Sequence, residues 1–223
     1  MPDKRSYGDS CGIARALDLV GERWALLVVR ELVLGPKRFT DLRTGLSGCS
    51  PDMLAQRLRD LEQAGVVRRR KLPPPVSARV YELTEWGREL EPVLLALGRW
   101  GSRSSLPSDP PALGVDALVV ALKTMFDPAR AGGAQSDFQL RLGDEEFVVR
   151  VGGGTLDLWR GQADAPAAVL ETDPGTLAAL LWHGFPEAEA VAAGSLRLAG
   201  SRRAANRFLR LFPPTAPARA AAA

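Results

Sequence analysis

Ser47-Gly48-Cys49-Ser50-Pro51-Asp52-Met53-Leu54-Ala55-Gln56-Arg57-Leu58-Arg59-Asp60-Leu61-Glu62-Gln63-Ala64-Gly65-Val66-Val67-Arg68-Arg69-Arg70-Lys71 holds, in order, a turn, a capped helix and the start of a basic strand. Ser50 is a natural N-cap, because its hydroxyl can accept a hydrogen bond from a spare amide of the first turn. Pro51 suits the first helical position, where no amide is needed. Leu54, Leu58 and Leu61 fall on one face and Gly65 closes the helix, which leaves Asp52, Met53, Gln56, Arg57 and Asp60 outward.

Working outward, Cys11 to Gly21 reads as a short helix with Ile13, Leu17 and Val20 at helical spacing. The nearly all-apolar run from Trp24 to Leu34 predicts a central helix stopped by Gly35-Pro36. Phe39, Leu42 and Leu46 make the helix before the turn. Beyond Gly65, Val66 to Leu72 and Ala78 to Leu83 alternate or are β-branched around Pro73-Pro74-Pro75, the pattern of a two-stranded hairpin. Thr84 then caps a helix carrying Leu90, Leu94, Leu97 and Trp100 as a stripe, and Pro92 inside it predicts a bend. Three helices, a turn, a recognition helix and a hairpin form a winged helix-turn-helix.

Such a helix must bury one face to be rigid and offer polar groups to base edges from the other. Arg57 can donate two hydrogen bonds to a guanine and Gln56 can pair with an adenine, with Ser50, Asp52 and Met53 beside them. Arg68, Arg69, Arg70, Lys71 and Arg79 on the wing can meet phosphates. A charge run is more often a solvated strand, but this one follows a capped, Gly-terminated helix and precedes a second strand. Charge is divided unevenly: residues 1–106 hold 18 Lys or Arg against 13 Asp or Glu, and residues 107–223 hold 11 against 13. A double-stranded DNA partner fits the first part alone.

Cys11-x-x-Ala14-Arg15-Ala16-Leu17-Asp18-Leu19-Val20-Gly21-x-Arg23-Trp24, Leu34-Gly35-Pro36-x-Arg38-Phe39-x-Asp41-Leu42, Leu58-x-x-Leu61-Glu62-x-Ala64-Gly65 and Tyr81-x-Leu83-Thr84-x-x-Gly87 resemble the HxlR family of bacterial transcriptional regulators. The resemblance covers about residues 11–101. It implies a winged-helix homodimer, related in fold to the MarR regulators, that binds a pseudo-palindromic operator. By the same resemblance the terminal helices form the dimer interface, although the Trp100 stripe can equally pack within one chain. Cys11 matches the cysteine that serves as a redox sensor in some members; the alternative is a small buried hydrophobe. Cys49, in the turn, is either incidental or sensitive to oxidation.

The Ser-, Pro- and Gly-rich stretch 102–114 reads as a linker between domain 1–101 and a second domain, 115–212, followed by a disordered Ala/Pro-rich tail, 213–223. The second domain opens with a helix from Val115 to Phe126. Strands follow around Phe138, Phe147, Leu156 and Val169, with Gly152-Gly153-Gly154 as a hairpin turn. Asp173-Pro174 caps a helix through Trp182, Pro186 begins another, Leu196 to Leu198 is a short strand, and Arg202 to Phe212 is the last helix. This order resembles the sterol carrier protein type 2-like fold, so the expected class is α+β in both parts. The resemblance implies an apolar tunnel, for which Leu118, Leu122, Met125, Leu177, Leu181, Trp182 and Phe208 are the candidate lining residues; plain core is the competing reading.

Chemistry of other kinds finds little support. His183 is the only histidine and sits at a helix end, so no Ser/His/Asp or Cys/His arrangement exists. Two distant cysteines offer neither a disulfide framework nor metal spacing. Asp144, Glu145 and Glu146 read as solvated turn charges, and the glycine triplet lacks a nucleotide-binding pattern. No secretory signal or apolar run of membrane-spanning length is present, so a cytoplasmic, non-enzymatic chain without cofactor or membrane insertion is expected. The expected function is a transcriptional regulator, a repressor by default, modulated by a hydrophobic small molecule. Alternatives are a lipid carrier that dimerises through its winged helix, and a thiol switch through Cys11.

Overall fold

Apolar residues three and four apart build the helices of the first half, and alternating ones build the sheet of the second. The computed structural model describes residues 6–75, 77–104, 113–133 and 135–216. Of the expected linker, residues 105–112 lie outside the described residues, as do 217–223 of the expected tail. The chain divides into two compact units, Met1–Leu94 and Leu95–Ala223.

The first unit contains α1 (Gly12–Val20), α2 (Ala25–Leu32), α3 (Phe39–Gly45), α4 (Pro51–Gln63), β1 (Val67–Lys71), β2 (Arg79–Leu83), α5 (Glu85–Arg88) and the start of α6 (Leu90–Gly101). Val28, Val29 and Leu32 of α2 and Leu42 of α3 pack with Leu54, Leu58 and Leu61 of α4 in one core. Each fully buried Leu or Val contributes roughly 1.5–3 kcal/mol. The three leucines of α4 therefore hold it rigidly by its inner face.

A carboxylate organises this core. Glu31 on α2 has a side chain only 2% exposed, between Arg30 at 2.8 Å and Lys37 at 2.7 Å. Lys37 in turn pairs its backbone with Tyr81, donating at 3.0 Å and accepting at 2.8 Å, a single antiparallel bridge onto β2 of the wing. A Cβ on Gly45, at the end of α3, would stand 2.2 Å from the Glu31 carboxylate. One buried acid thus ties α2 to α3 and to the wing.

The helix expected after Thr84 is broken before the proline rather than bent at it. Thr84 caps α5, its hydroxyl accepting from the Gly87 amide at 2.9 Å, and the chain turns at Glu89. Pro92 then lies in the first turn of α6, where its missing amide costs no helical hydrogen bond. Leu90 and Leu94 are half-buried against the first core.

The second unit carries α7 (Val115–Met125), β3 (Ser136–Leu142), β4 (Glu145–Gly152), β5 (Thr155–Arg160), β6 (Ala168–Thr172), α8 (Pro174–Trp182), α9 (Glu187–Ala192), β7 (Leu196–Gly200) and α10 (Arg202–Leu209). The five strands order β5-β4-β3-β6-β7, with β3 and β6 parallel and the other pairs antiparallel. Gly153 and Gly154, at φ 60° and 77°, make the β4–β5 turn that needs left-handed backbone. Phe138 of β3 meets Phe208 of α10 with ring centroids 5.2 Å apart, and Phe208 meets Phe212 at 5.2 Å. Buried Gln139 is satisfied, its amide donating to Gly161 O at 3.1 Å and its oxygen accepting from the Ala163 amide at 2.7 Å. Asp173 caps α8; burial pushes its carboxyl up, but hydrogen bonds from Thr176 and Gly175 hold it below the ordinary carboxylate range.

Two expectations change here, one of charge and one of helix length. Glu145 and the buried Asp116 clasp Arg160, and Glu146 pairs with Arg141 at 3.0 Å, so the β3–β4 acids are partnered rather than merely solvated. The last helix ends at Leu209, short of the Phe212 expected.

The Glu31 contact makes a test of the fold. On an open helix, Gly→Ala raises stability by about 0.5–1 kcal/mol. Gly45→Ala is expected instead to lower it by about 1–3 kcal/mol, because the new methyl meets a held carboxylate. Chemical denaturation of both proteins measures this, and a rise in stability would show that Glu31 is free to move.

Candidate nucleic-acid interface

The turn before α4 is shaped by Trp24. Trp24 takes a left-handed conformation, φ 77°, at the start of α2, and a Cβ on Gly48 would meet its indole at 3.1 Å. Glycine at 48 lets the turn close against the ring. Ser50 then caps α4 as the sequence predicts, accepting from the Met53 amide at 3.3 Å. Thr40, Arg43, Thr44, Ser47 and Ser50 line a hollow at this helix start that carries hydroxyls and a guanidinium.

Along α4 the outward residues differ from those expected. Asp52, Met53 and Gln56 are exposed, but Arg57 is not among them: its side chain is 13% exposed. It pairs with Asp60 at 2.6 Å and Glu22 at 3.6 Å. Its Nε is buried without a partner among the described residues. Arg57 fastens α4 to the α1–α2 connection. Arg59 is the exposed arginine, donating to Gln56 Oε1 at 2.6 Å while the Gln56 amide donates to Asp60 at 2.7 Å. Asp52, Gln56 and Arg59 recur at i, i+4, i+7 and form one stripe. Positions 54, 57, 58 and 61 have the spacing of a buried face, which was the available signal that Arg57 turns inward.

On the wing, strand register decides which cations are committed. Arg68 faces Glu82 directly, and Arg68 at 2.7 Å and Arg70 at 3.0 Å share its carboxylate. Arg69, on the other face, meets Glu62 at 3.1 Å and lies over the Tyr81 ring. Lys71 and Arg79, paired in register at the wing's outer end, have no carboxylate partner among the described residues. The strongest uncompensated positive charge therefore lies at the tip.

The two cysteines separate cleanly. Cys11 is exposed at the N-cap of α1, against the reading of a buried hydrophobe. Cys49 is buried, and burial pushes its thiol up despite Arg57 and Arg23, which leaves it protonated and poorly suited to oxidation.

The residues expected to line an apolar tunnel are mostly buried among other apolar side chains. Leu118, Leu122, Leu177 and Phe208 are wholly buried, Leu181 nearly so, and Met125 and Trp182 half-buried. The Trp182 indole N–H donates to Phe212 O at 3.2 Å. His183 is exposed at the C-terminus of α8, as its place predicts. Among the described residues no His, Cys, Asp and Glu group could hold a metal, and no helix is long and apolar enough to cross a membrane.

Because Arg57 is a tie and Arg59 is not, Arg57→Ala should lower stability by about 1.5–3 kcal/mol in denaturant titrations. Arg59→Ala should stay within about 0.5 kcal/mol of the parent. Equal effects would reverse the assignment.

The sequence pattern described as HxlR-like helix-turn-helix fits residues 19–109. The chain is 42% identical over 98 residues to the HTH-type transcriptional regulator sll1512 of Synechocystis sp., which spans 43% of this chain and 70% of that protein. It is 37% identical over 94 residues to the HTH-type transcriptional regulator YodB of Bacillus subtilis, spanning 42% of this chain and 84% of YodB. The solved structure of the reduced form of YodB aligns at 35% identity over 45% of this chain and 100% of that one, with a TM-score of 0.39.

Proposed function

The chain belongs to the HxlR-like helix-turn-helix family of transcriptional regulators, and from that premise we propose that it binds a duplex operator as a homodimer and represses from it. In this reading α4 enters the major groove and the wing grips phosphate on one side. The observation that carries it is the exposed stripe of Asp52, Met53, Gln56 and Arg59 on a capped, core-anchored helix, beside a wing tip bearing Lys71 and Arg79.

The dimer part rests on apolar surface left uncovered at the ends of the matched region. Ile13 is 73% exposed and Leu17 lies beside it on α1, while Trp100 is 75% exposed on α6 with Val93 and Leu97 also open. Large apolar side chains in such number mark a partner surface. A cytoplasmic location and an effector held by the second unit belong to the same proposal.

A second reading, a thiol switch, has one observation in its favour: Cys11 is exposed while Cys49 is buried. It predicts that peroxide weakens DNA binding of the parent but not of Cys11→Ser, read by fluorescence anisotropy. Equal loss in both proteins would remove Cys11 from the account.

Sites selected from a random duplex pool supply the probe for the main reading. Each phosphate contact steepens the log–log salt dependence by about 0.9, so Lys71→Ala with Arg79→Ala should flatten it by about 1.8. Arg59→Ala should cost the selected site about 10- to 100-fold and nonspecific duplex much less. Unchanged affinity and slope in these variants would overturn the interface.

A further inference from the structure

Residues 107–223 are acidic on balance, yet one groove among them is lined by Arg130, Ser201, Arg203, Ala204, Asn206, Arg207 and Arg210. We propose that this groove, along α10 and the turn at Arg130, is the site of a small molecule carrying two or more phosphate or carboxylate groups, and that such an anion is the effector of this regulator. The identity as effector rests on the regulator reading; the binding site itself does not.

Four guanidiniums and no carboxylate line the groove. Arg203 and Arg207 on α10 and Arg210, its C-cap, recur at i, i+4 and i+7, so they form one stripe whose ends are about 10 Å apart along the helix axis. A single phosphate cannot span that stripe; a ligand with separated anionic groups can. Arg203 and Arg210 have no carboxylate partner among the described residues. Arg207 donates to Ser136 Oγ at 2.5 Å and lies over the Phe138 ring, contacts that orient it without neutralising it. Arg130 alone has an acid beside it, Asp127 at 3.2 Å.

The walls are fixed to each other. The Asp127 amide donates to Leu211 O at 2.9 Å, and Arg130 donates to Arg210 O at 3.2 Å, so the turn is fastened to the end of α10. Asn206 sits among the lining residues; its carboxamide oxygen, an acceptor, is no ligand for an anion, so the guanidiniums carry the recognition. The volume, about 950 Å³, is at the upper end of small-molecule sites. Planar guanidiniums bind phosphate and carboxylate through paired hydrogen bonds, which makes multiply charged anions the matching class.

Isothermal titration calorimetry of the full chain with sodium pyrophosphate and, separately, sodium citrate, at constant ionic strength, tests the site. Saturable binding of either is expected, weakened at least tenfold in Arg203→Ala/Arg210→Ala and unchanged in Arg197→Ala, an exposed arginine of β7 outside the groove. Preference for pyrophosphate or citrate assigns the anion as phosphate or carboxylate. Circular dichroism checks that the double variant is folded. No saturable binding of either probe, or equal affinity in the double variant, would overturn the proposal. So would weaker duplex binding in the double variant without anion binding, which assigns the groove to the DNA backbone. A failure of operator binding alone leaves the calorimetric result standing and rejects only the regulator reading.

Discussion

Glu31 is the constraint on which the first unit depends. A carboxyl group with almost no solvent contact is tolerated only where close hydrogen bonds and cationic partners replace water. Arg30, the neighbouring residue on α2, and Lys37, beyond the end of that helix, do so here. Lys37 carries the consequence to the wing through its backbone pairing with Tyr81, and Gly45 carries it to α3 by leaving room for the carboxylate. The wing is held through Lys37 and α4 through the apolar core it shares with α2, so both take their position from α2. Docking to a duplex needs that rigidity, since helix and hairpin must meet adjacent grooves together.

Much of the first unit was legible because its signals are local. Ser50-Pro51, Gly65 and Thr84 act within one turn of themselves, so cap and stop chemistry could be read from neighbours alone. Arg57 was misread because its destination depends on Glu22, thirty-five positions earlier, and on a core edge that a residue-by-residue view of charge does not show. Its spacing from Leu54 and Leu61 held the clue. Cys11 and Cys49 likewise look alike in sequence and differ only in burial.

In the second unit, strands and turns were legible from alternation and glycine, but their order was not. The parallel pairing of β3 with β6 arises from a crossover, and the sequence between them carries no signal of which neighbours they choose. For the same reason the spacing of the candidate ligand residues left lining and packing open. Leu118, Leu122, Leu177 and Phe208 have the spacing of a tunnel wall and of a packed core alike, and here they pack. The groove that does open is arginine-lined, and its fourth arginine comes from a turn about seventy residues before α10. The division of labour that follows is electrostatic. A basic wing and recognition face are built on one unit, and a separate cationic groove is built into an otherwise acidic one.

In the proposed function, a pair of identical winged helices reads duplex DNA. Hydroxyl-radical footprinting of the full chain on a selected duplex measures this directly. The account predicts two protected patches of equal strength, centred about 10 base pairs apart or a small multiple of that, with protection extending to flanking backbone. A single unpaired patch, or no protection at concentrations that saturate binding, would contradict it.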